Sequence, residues 1–313
     1  MGKPIGVLHR PAGLAVLSAL FVLCWSSGFV GAKLGTRDAD VLTVLAWRTV
    51  PLAAVLLLVG WVRRTRADPR PPPVPAAELA RQAGVGALSQ SGYLLSVYWA
   101  VGLGVSTGTT ALVDGVQPLV VAALAGPLLG VAVSGRQWLG LALGLTGVLV
   151  VTLADAASPR TDAPGWAYAV PAAGMLCLVA ATLLDRRAGT PPRPLRNLTV
   201  HCTTSAVLLG GAALATGAAT VPDDPRFWLA TAWAVVLPTF GGYGLYWLLL
   251  DRVGVTAVNG LLFLVPPVTT AWGALAFGEP VTATTAGGLA LALLATRLVG
   301  GTPLRGARPR GRG

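Results

Sequence analysis

The sequence predicts an all-α integral membrane protein whose ten transmembrane helices form two inverted five-helix repeats. Three observations carry that prediction. Only 11% of the 313 residues are charged while 54% are hydrophobic, against about 25% charged in soluble domains. The apolar residues lie in long unbroken runs, and the mean hydropathy is +0.69. Finally, the pattern of Tyr93–Val151 returns at Tyr243–Gly300.

Ten stretches reach or approach the roughly 20 residues that cross the hydrocarbon core as a helix: 12–34, 41–62, 77–101, 105–130, 136–154, 165–184, 197–217, 227–250, 255–277 and 281–300. From Ala12 to Leu34 only Lys33 is charged, and from Gly165 to Leu184 nothing is. The third run opens with Glu78 and Arg81, and the tenth holds Arg297. Barrel strands would instead alternate over about 10 residues. The first run is followed at once by a second span, which argues against a cleaved leader. Cys24, Cys177 and Cys202 all fall within spans, and an odd number there argues against a disulfide framework. His9 and His201 are the only histidines, so neither a metal-ligand cluster nor a cofactor is expected.

Net charge is +11, and its distribution points to a membrane, not to nucleic acid. Placing the N-terminus in the cytoplasm puts 18 of the 23 Lys and Arg on that side, as the positive-inside bias requires. The other side holds Lys33, Arg37, Arg48, Arg160 and Arg226. Both termini are therefore expected in the cytoplasm of a multi-pass plasma-membrane protein. The organisation is a tail (1–11), a first repeat (12–154), an external linker (155–164), a second repeat (165–300) and a basic tail (301–313) that touches anionic headgroups. The proline-rich connections 63–75 and 185–196 read as extended linkers.

The repeat is visible residue by residue. Tyr93 to Trp99 leads through Gly104-Val105-Ser106 to Pro118; Tyr243 to Trp247 leads through Gly254-Val255-Thr256 to Pro266, at an offset falling from 150 to 148. Five spans per half is odd, so the second half sits upside down. Such inverted repeats are common in secondary transporters, with a site between the halves near the midplane.

These residues carry a resemblance. Trp25-Ser26-Ser27-Gly28-Phe29 ahead of Lys33, Trp47-Arg48 early in the second span, the Gly-Val-Ser/Thr turns, Pro118, Pro266 and Gly278-Glu279-Pro280 together resemble EamA-domain members of the drug/metabolite transporter superfamily. The resemblance covers 12–154 and 165–300. It implies a central cavity lined by spans 1–4 and 6–9, with spans 5 and 10 peripheral, and export or exchange of small organic solutes. Val131 departs from it, standing where the first repeat of the family usually has Glu.

Ionisable residues inside spans are costly and mark candidate sites. Arg48 and Asp114 both lie roughly 10–14 Å deep from the same face at 1.5 Å per residue, a depth that permits an ion pair. Lys33, nearer the interface, either touches substrate or snorkels. Thr107, Thr110, Asp114 and Gln117 share one helical face, as do Thr256, Asn259, Phe263 and Pro266 in the repeat; Gln82, Ser89, Tyr93 and Ser96 form a third stripe, and Thr239, Tyr243 and Tyr246 a fourth. Polar stripes in membrane helices face protein or water. They are read as a shared cavity, with interhelical hydrogen bonding as the alternative. Trp25, Phe29, Trp99, Trp247 and Trp272 are candidates for its apolar lining, whereas Trp61, Trp138, Trp166 and Trp228 read as the interfacial belt. Gly140, Gly144 and Gly147 allow close helix approach; Pro118, Pro266 and Pro267 mark bends.

The substrate-path candidates are thus Trp25, Lys33, Arg48, Ser89, Tyr93, Thr110, Asp114, Gln117, Thr239, Tyr243, Tyr246 and Asn259, with Asp114 and Glu279 as coupling-ion candidates for a proton. No GxxxxGK[ST] motif appears, so a gradient or exchange is the expected energy source. The expected partners are a small-molecule substrate and membrane lipids; monomer and homodimer both stay open. Two other functions are weighed. A membrane enzyme acting on lipid-linked substrates needs clustered acid–base residues at one interface, and the one adjacent acidic pair, Asp223-Asp224, reads as a solvated turn. A non-transporting scaffold or receptor would want an extramembrane domain, and none of any size is encoded.

Overall fold

The computed structural model describes residues 11–66, 74–129, 134–187 and 193–300. Expectations placed on 1–10, 67–73, 130–133, 188–192 and 301–313, including Val131, the basic tail, most of the 63–75 connection and the middle of the 185–196 connection, lie outside them. So do the side chains of Thr256 and Asn259.

Among the described residues thirteen α-helices follow one another: α1 (Pro11–Gly35), α2 (Val41–Arg66), α3 (Ala76–Gly86), α4 (Tyr93–Gly102), α5 (Thr107–Gly115), α6 (Gln117–Leu129), α7 (Gly135–Ala156), α8 (Ala169–Arg187), α9 (Pro194–Thr216), α10 (Pro225–Ala234), α11 (Tyr243–Leu262), α12 (Val265–Phe277) and α13 (Ala283–Gly300). No strand occurs among the described residues. π-helical turns at Ala87–Gly92 and Val235–Gly242 join α3 to α4 and α10 to α11. Among the described residues eight helical stretches are long and apolar enough to cross a membrane. The two expected spans not among them are helical nonetheless: α3 to α4, whose charged opening lowers its hydropathy, and α13, whose described apolar stretch is short.

Local chemistry sets the breaks. Gly104 and Gly254, 150 residues apart, take φ of 101° and 79°, backbone that a side chain would strain. Gly254 interrupts α11, so the two repeats turn at the same place by the same device. The fourth span is broken near its expected bend: α5 ends at Gly115 and α6 opens at Gln117. Pro118 sits in the first turn of α6 and Pro266 in that of α12, where a missing N–H costs nothing; the expected bends lie there.

Packing is reciprocal between the halves. α2 lies on α9, α5 on α12 and α7 on α13, while α1 packs against the Val235–Gly242 turn and α8 against α4 and the Ala87–Gly92 turn. The last two contacts use matching parts: a Cβ on Gly241 or on Gly92 would lie 3.0 Å from the sulfur of Cys24 or Cys177 respectively. Those cysteines are themselves repeat-related, 153 residues apart. A Cβ at Gly147 would meet the Gly288 carbonyl at 2.6 Å, so α7 and α13 approach backbone to backbone. Gly147→Leu is therefore expected to force the pair apart at a cost of about 1–3 kcal/mol, read as a lower unfolding temperature in detergent; an unchanged temperature would refute this account.

Candidate functional site

Three polar clusters lie along the bundle, one central and one at each end. The ends take their names from Glu279 and Glu78. Because the end of α1 meets Glu279 at the start of the α13 connection, the beginning of α1 and the end of α13 share the opposite, Glu78 end.

At the centre Arg48, only 6% exposed, donates from Nη1 to the Tyr98 hydroxyl at 2.7 Å and from Nη2 to Thr239 Oγ1 at 3.4 Å. Its Cζ lies 5.5 Å from the Tyr98 ring centroid. Thr239 is presented by the π-helical turn, its own hydroxyl donating to the Ala234 carbonyl five residues back. Pro238 in that turn has no N–H to give the ordinary ladder. Asp114 Oδ2 accepts the Tyr93 hydroxyl at 2.9 Å, while Oδ1 is buried with no partner among the described residues. The repeat mate of Tyr93, Tyr243, accepts from Gln90 Nε2 at 2.6 Å. Thr239, four residues before Tyr243, and Gln90, three before Tyr93, tie the two poles into one cluster. An aromatic wall adjoins it: Trp25 lies 5.5 Å from Tyr243, 6.1 Å from Tyr246 and 5.5 Å from Phe21.

The ion pairs among the described residues are Lys33–Glu279, Arg81–Glu78, Arg81–Asp185 and Arg196–Glu78. The Arg48–Asp114 pair considered from their depths is not one of them. Each charge is held by hydroxyls instead, so a positive and a negative pole stand apart in one apolar, low-dielectric setting. Such a site suits a solute bearing complementary charges or, at Asp114, a proton.

At the Glu279 end, Glu279 accepts from Lys33 Nζ at 2.6 Å, from the Thr107 N–H at 3.0 Å and from Thr107 Oγ1 at 2.7 Å. Asp155 beside it accepts from the Ser106 N–H at 3.1 Å and Ser106 Oγ at 2.6 Å. Two carboxylates thus satisfy the opening N–H groups of α5, where the helix dipole favours negative charge. Lys33 therefore belongs to this end cluster and not to the central one. At the Glu78 end, Arg81 binds Asp185 at 2.6 Å, Arg196 binds Glu78 at 3.1 Å, and His201 Nε2 meets Gln82 Oε1 at 2.8 Å.

Of the residues expected on the path, Trp25, Arg48, Tyr93, Asp114, Thr239, Tyr243 and Tyr246 converge. The others do not. Ser89 and Thr110 donate to carbonyls of their own helices, Val85 and Ser106. Gln117 reaches across to Thr182 at 3.1 Å. In the third-span stripe only Tyr93 reaches the centre: Gln82 belongs to the Glu78 end, and Ser96 donates to the Gly92 carbonyl. Trp99 is 46% exposed and meets Trp166, while Trp272 stacks near Trp233; neither joins the wall. Asp224 accepts the Arg226 N–H as a helix cap. Missed from the sequence were Tyr98, Gln90 and Asp155. Gln90 falls off the 3.6-residue stripe because the π-helical turn inserts an extra residue into the phase.

Comparison with known proteins agrees with this architecture. No curated protein sequence matches significantly. A solved crystal structure superposes with a TM-score of 0.60 at 20% identity, covering 92% of this chain and 97% of that one, a likeness that speaks to the fold alone. The model of the EamA-like transporter family matches twice, over residues 13–153 and 165–301, one match to each half. The chain is a multi-pass membrane protein and belongs to the EamA-like transporter family, the membrane transporters of small solutes.

Proposed function

We propose that the protein is a secondary transporter that exports or exchanges small organic solutes, amino-acid-like, amine or related metabolites, by alternating access across the plasma membrane. Ten spans in two inverted halves, with both termini cytoplasmic, are the topology this reading requires. The positive-inside bias, the shared turns at Gly104 and Gly254 and the reciprocal packing of the halves support it. The site is the cluster of Arg48, Tyr93, Asp114, Thr239 and Tyr243 walled by Trp25 and Tyr246, with Asn259 as a further candidate.

One observation carries the reading: a carboxylate midway along a membrane span keeps one oxygen without a partner among the described residues. A buried charge with an unused acceptor costs several kcal/mol, and a purely structural helix would have no reason to keep it. It serves as the place where a solute ammonium or a coupling proton docks. The test is flux: purified protein in liposomes, challenged with radiolabelled amino acids and amines chosen from those that raise its unfolding temperature. Counterflow of at least one stabilising solute is expected. A protein that binds members of the panel but moves none of them would favour a non-transporting scaffold.

A further inference from the structure

We propose that the α2–α9 seam at the Glu78 end binds the phosphate headgroup of an anionic phospholipid, whose acyl chains lie along α2. The inference stands apart from the transport reading. α2 packs on α9, and three contacts set the register. Thr43 Oγ1 donates to the Ala218 carbonyl at 2.6 Å, a Cβ at Gly210 would lie 3.1 Å from Val50, and Leu56 clusters with Leu195 and Leu198. The helices therefore run antiparallel, and the last turn of α2 meets the first turn of α9. That meeting point is basic. α2 ends in Arg63, Arg64 and Arg66, and Arg193 holds the N-cap position of α9; all four are exposed.

Two neighbouring arginines, Arg81 and Arg196, are already neutralised by Glu78 and Asp185. The four at the seam belong to none of the ion pairs among the described residues. Helix dipoles do not absorb their charge, because the carbonyl end of α2 and the amide end of α9 bring about half a unit charge each, of opposite sign. The apolar surface beside them supplies the rest of the match. Leu57, Trp61 and Arg64 stand at i, i+4 and i+7, one stripe of α2, and Leu57 is 50% and Trp61 65% exposed. Arg63 instead stands seven residues after the buried Leu56, so it continues the stripe that faces α9. From Trp61 to Arg64 is about 4.5 Å along the axis. An apolar wall, then an indole of the kind that settles at headgroup level, then unpaired guanidiniums that match phosphate oxygens with paired donors, follow the order of acyl chain, glycerol and phosphate. A zwitterionic headgroup brings its own cation and leaves the arginines less well neutralised.

The experiment titrates the full chain, purified in detergent, with phosphatidylglycerol and reads the bound lipid by native mass spectrometry. Phosphatidylcholine is the zwitterionic arm, and glycerophosphoglycerol, the same headgroup without chains, is the free-phosphate arm. Phosphatidylglycerol should bind about tenfold tighter than either, or more. Arg64→Gln combined with Arg193→Gln should weaken it about 30-fold, the effect of two headgroup-level arginines. Arg136→Gln combined with Arg297→Gln removes the same charge from exposed positions at the same end, on α7 and α13, and should change affinity less than about threefold. Equal losses in the two pairs would overturn the site and leave a diffuse basic surface. Equal affinity for phosphatidylcholine would reduce the seam to an apolar face, and equal affinity for glycerophosphoglycerol would make it a phosphate site without a lipid; either overturns the assignment. Trp61→Ala removes no charge and checks the chain placement separately. It should weaken phosphatidylglycerol and leave glycerophosphoglycerol unmoved, and unchanged lipid affinity would overturn the placement along α2.

Discussion

Asp114→Asn should abolish proton-linked flux, and weaken binding of any amine-bearing solute by roughly 10- to 100-fold, while leaving the protein as stable as before or more so. The two halves of this expectation have different causes. Asparagine keeps an oxygen for the Tyr93 hydroxyl, so the local geometry of α4 and α5 is preserved. What is lost is the charge and its unpartnered Oδ1. A charge-assisted hydrogen bond to a solute is worth about 1.5–3 kcal/mol, which sets the loss in affinity. Removing a buried charge that forms no ion pair among the described residues takes away a desolvation penalty, which sets the stability. Opposite movements of function and stability distinguish a site residue from a structural one. Flux in liposomes and unfolding temperature should be measured on the same preparation. A variant that transports normally with unchanged pH dependence would remove Asp114 from the mechanism, and a variant that unfolds early would make the carboxylate a packing element.

The same contrast explains which features were legible in the sequence. Hydrophobic runs, Gly104 and Gly254, Pro118 and Pro266 act through the local backbone, and their positions in the structure follow from their chemistry alone. The repeat was legible because both halves keep those marks at a near-constant offset. Side-chain partners were not, for two physical reasons. The π-helical turns shift helical phase between Gln82 and Tyr93, so a stripe drawn at constant period joined residues that point to different clusters. In addition, depth along a helix fixes one coordinate only. Arg48 and Asp114 share a depth, yet Tyr98 and Thr239 hold one and Tyr93 the other. Glu279 was visible as part of a Gly-Glu-Pro turn, but its bonds to Lys33 and Thr107 join residues 246 and 172 positions apart, a pairing no local pattern encodes.

Arg48→Met is expected to separate function from stability in the same manner, and Arg48→Lys to separate charge from geometry. A guanidinium 6% exposed, outside every ion pair among the described residues, is held by neutral hydroxyls of Tyr98 and Thr239, two donors of its five. Replacing buried ionic groups by apolar side chains of similar volume is often neutral or stabilising by about 1–4 kcal/mol; Arg48→Met should therefore hold or raise the unfolding temperature. Transport should fall by at least tenfold if the unspent donors serve the solute. Lysine keeps the charge but offers one ammonium, which cannot span Tyr98 on α4 and Thr239 on the Val235–Gly242 turn as a planar fork does. Arg48→Lys should then bind solute measurably while the link between the two halves is lost, so that half-saturation shifts less than maximal rate. If instead methionine lowers the unfolding temperature sharply and lysine restores it with full flux, the guanidinium is a structural brace, and the positive pole of the site must be sought elsewhere.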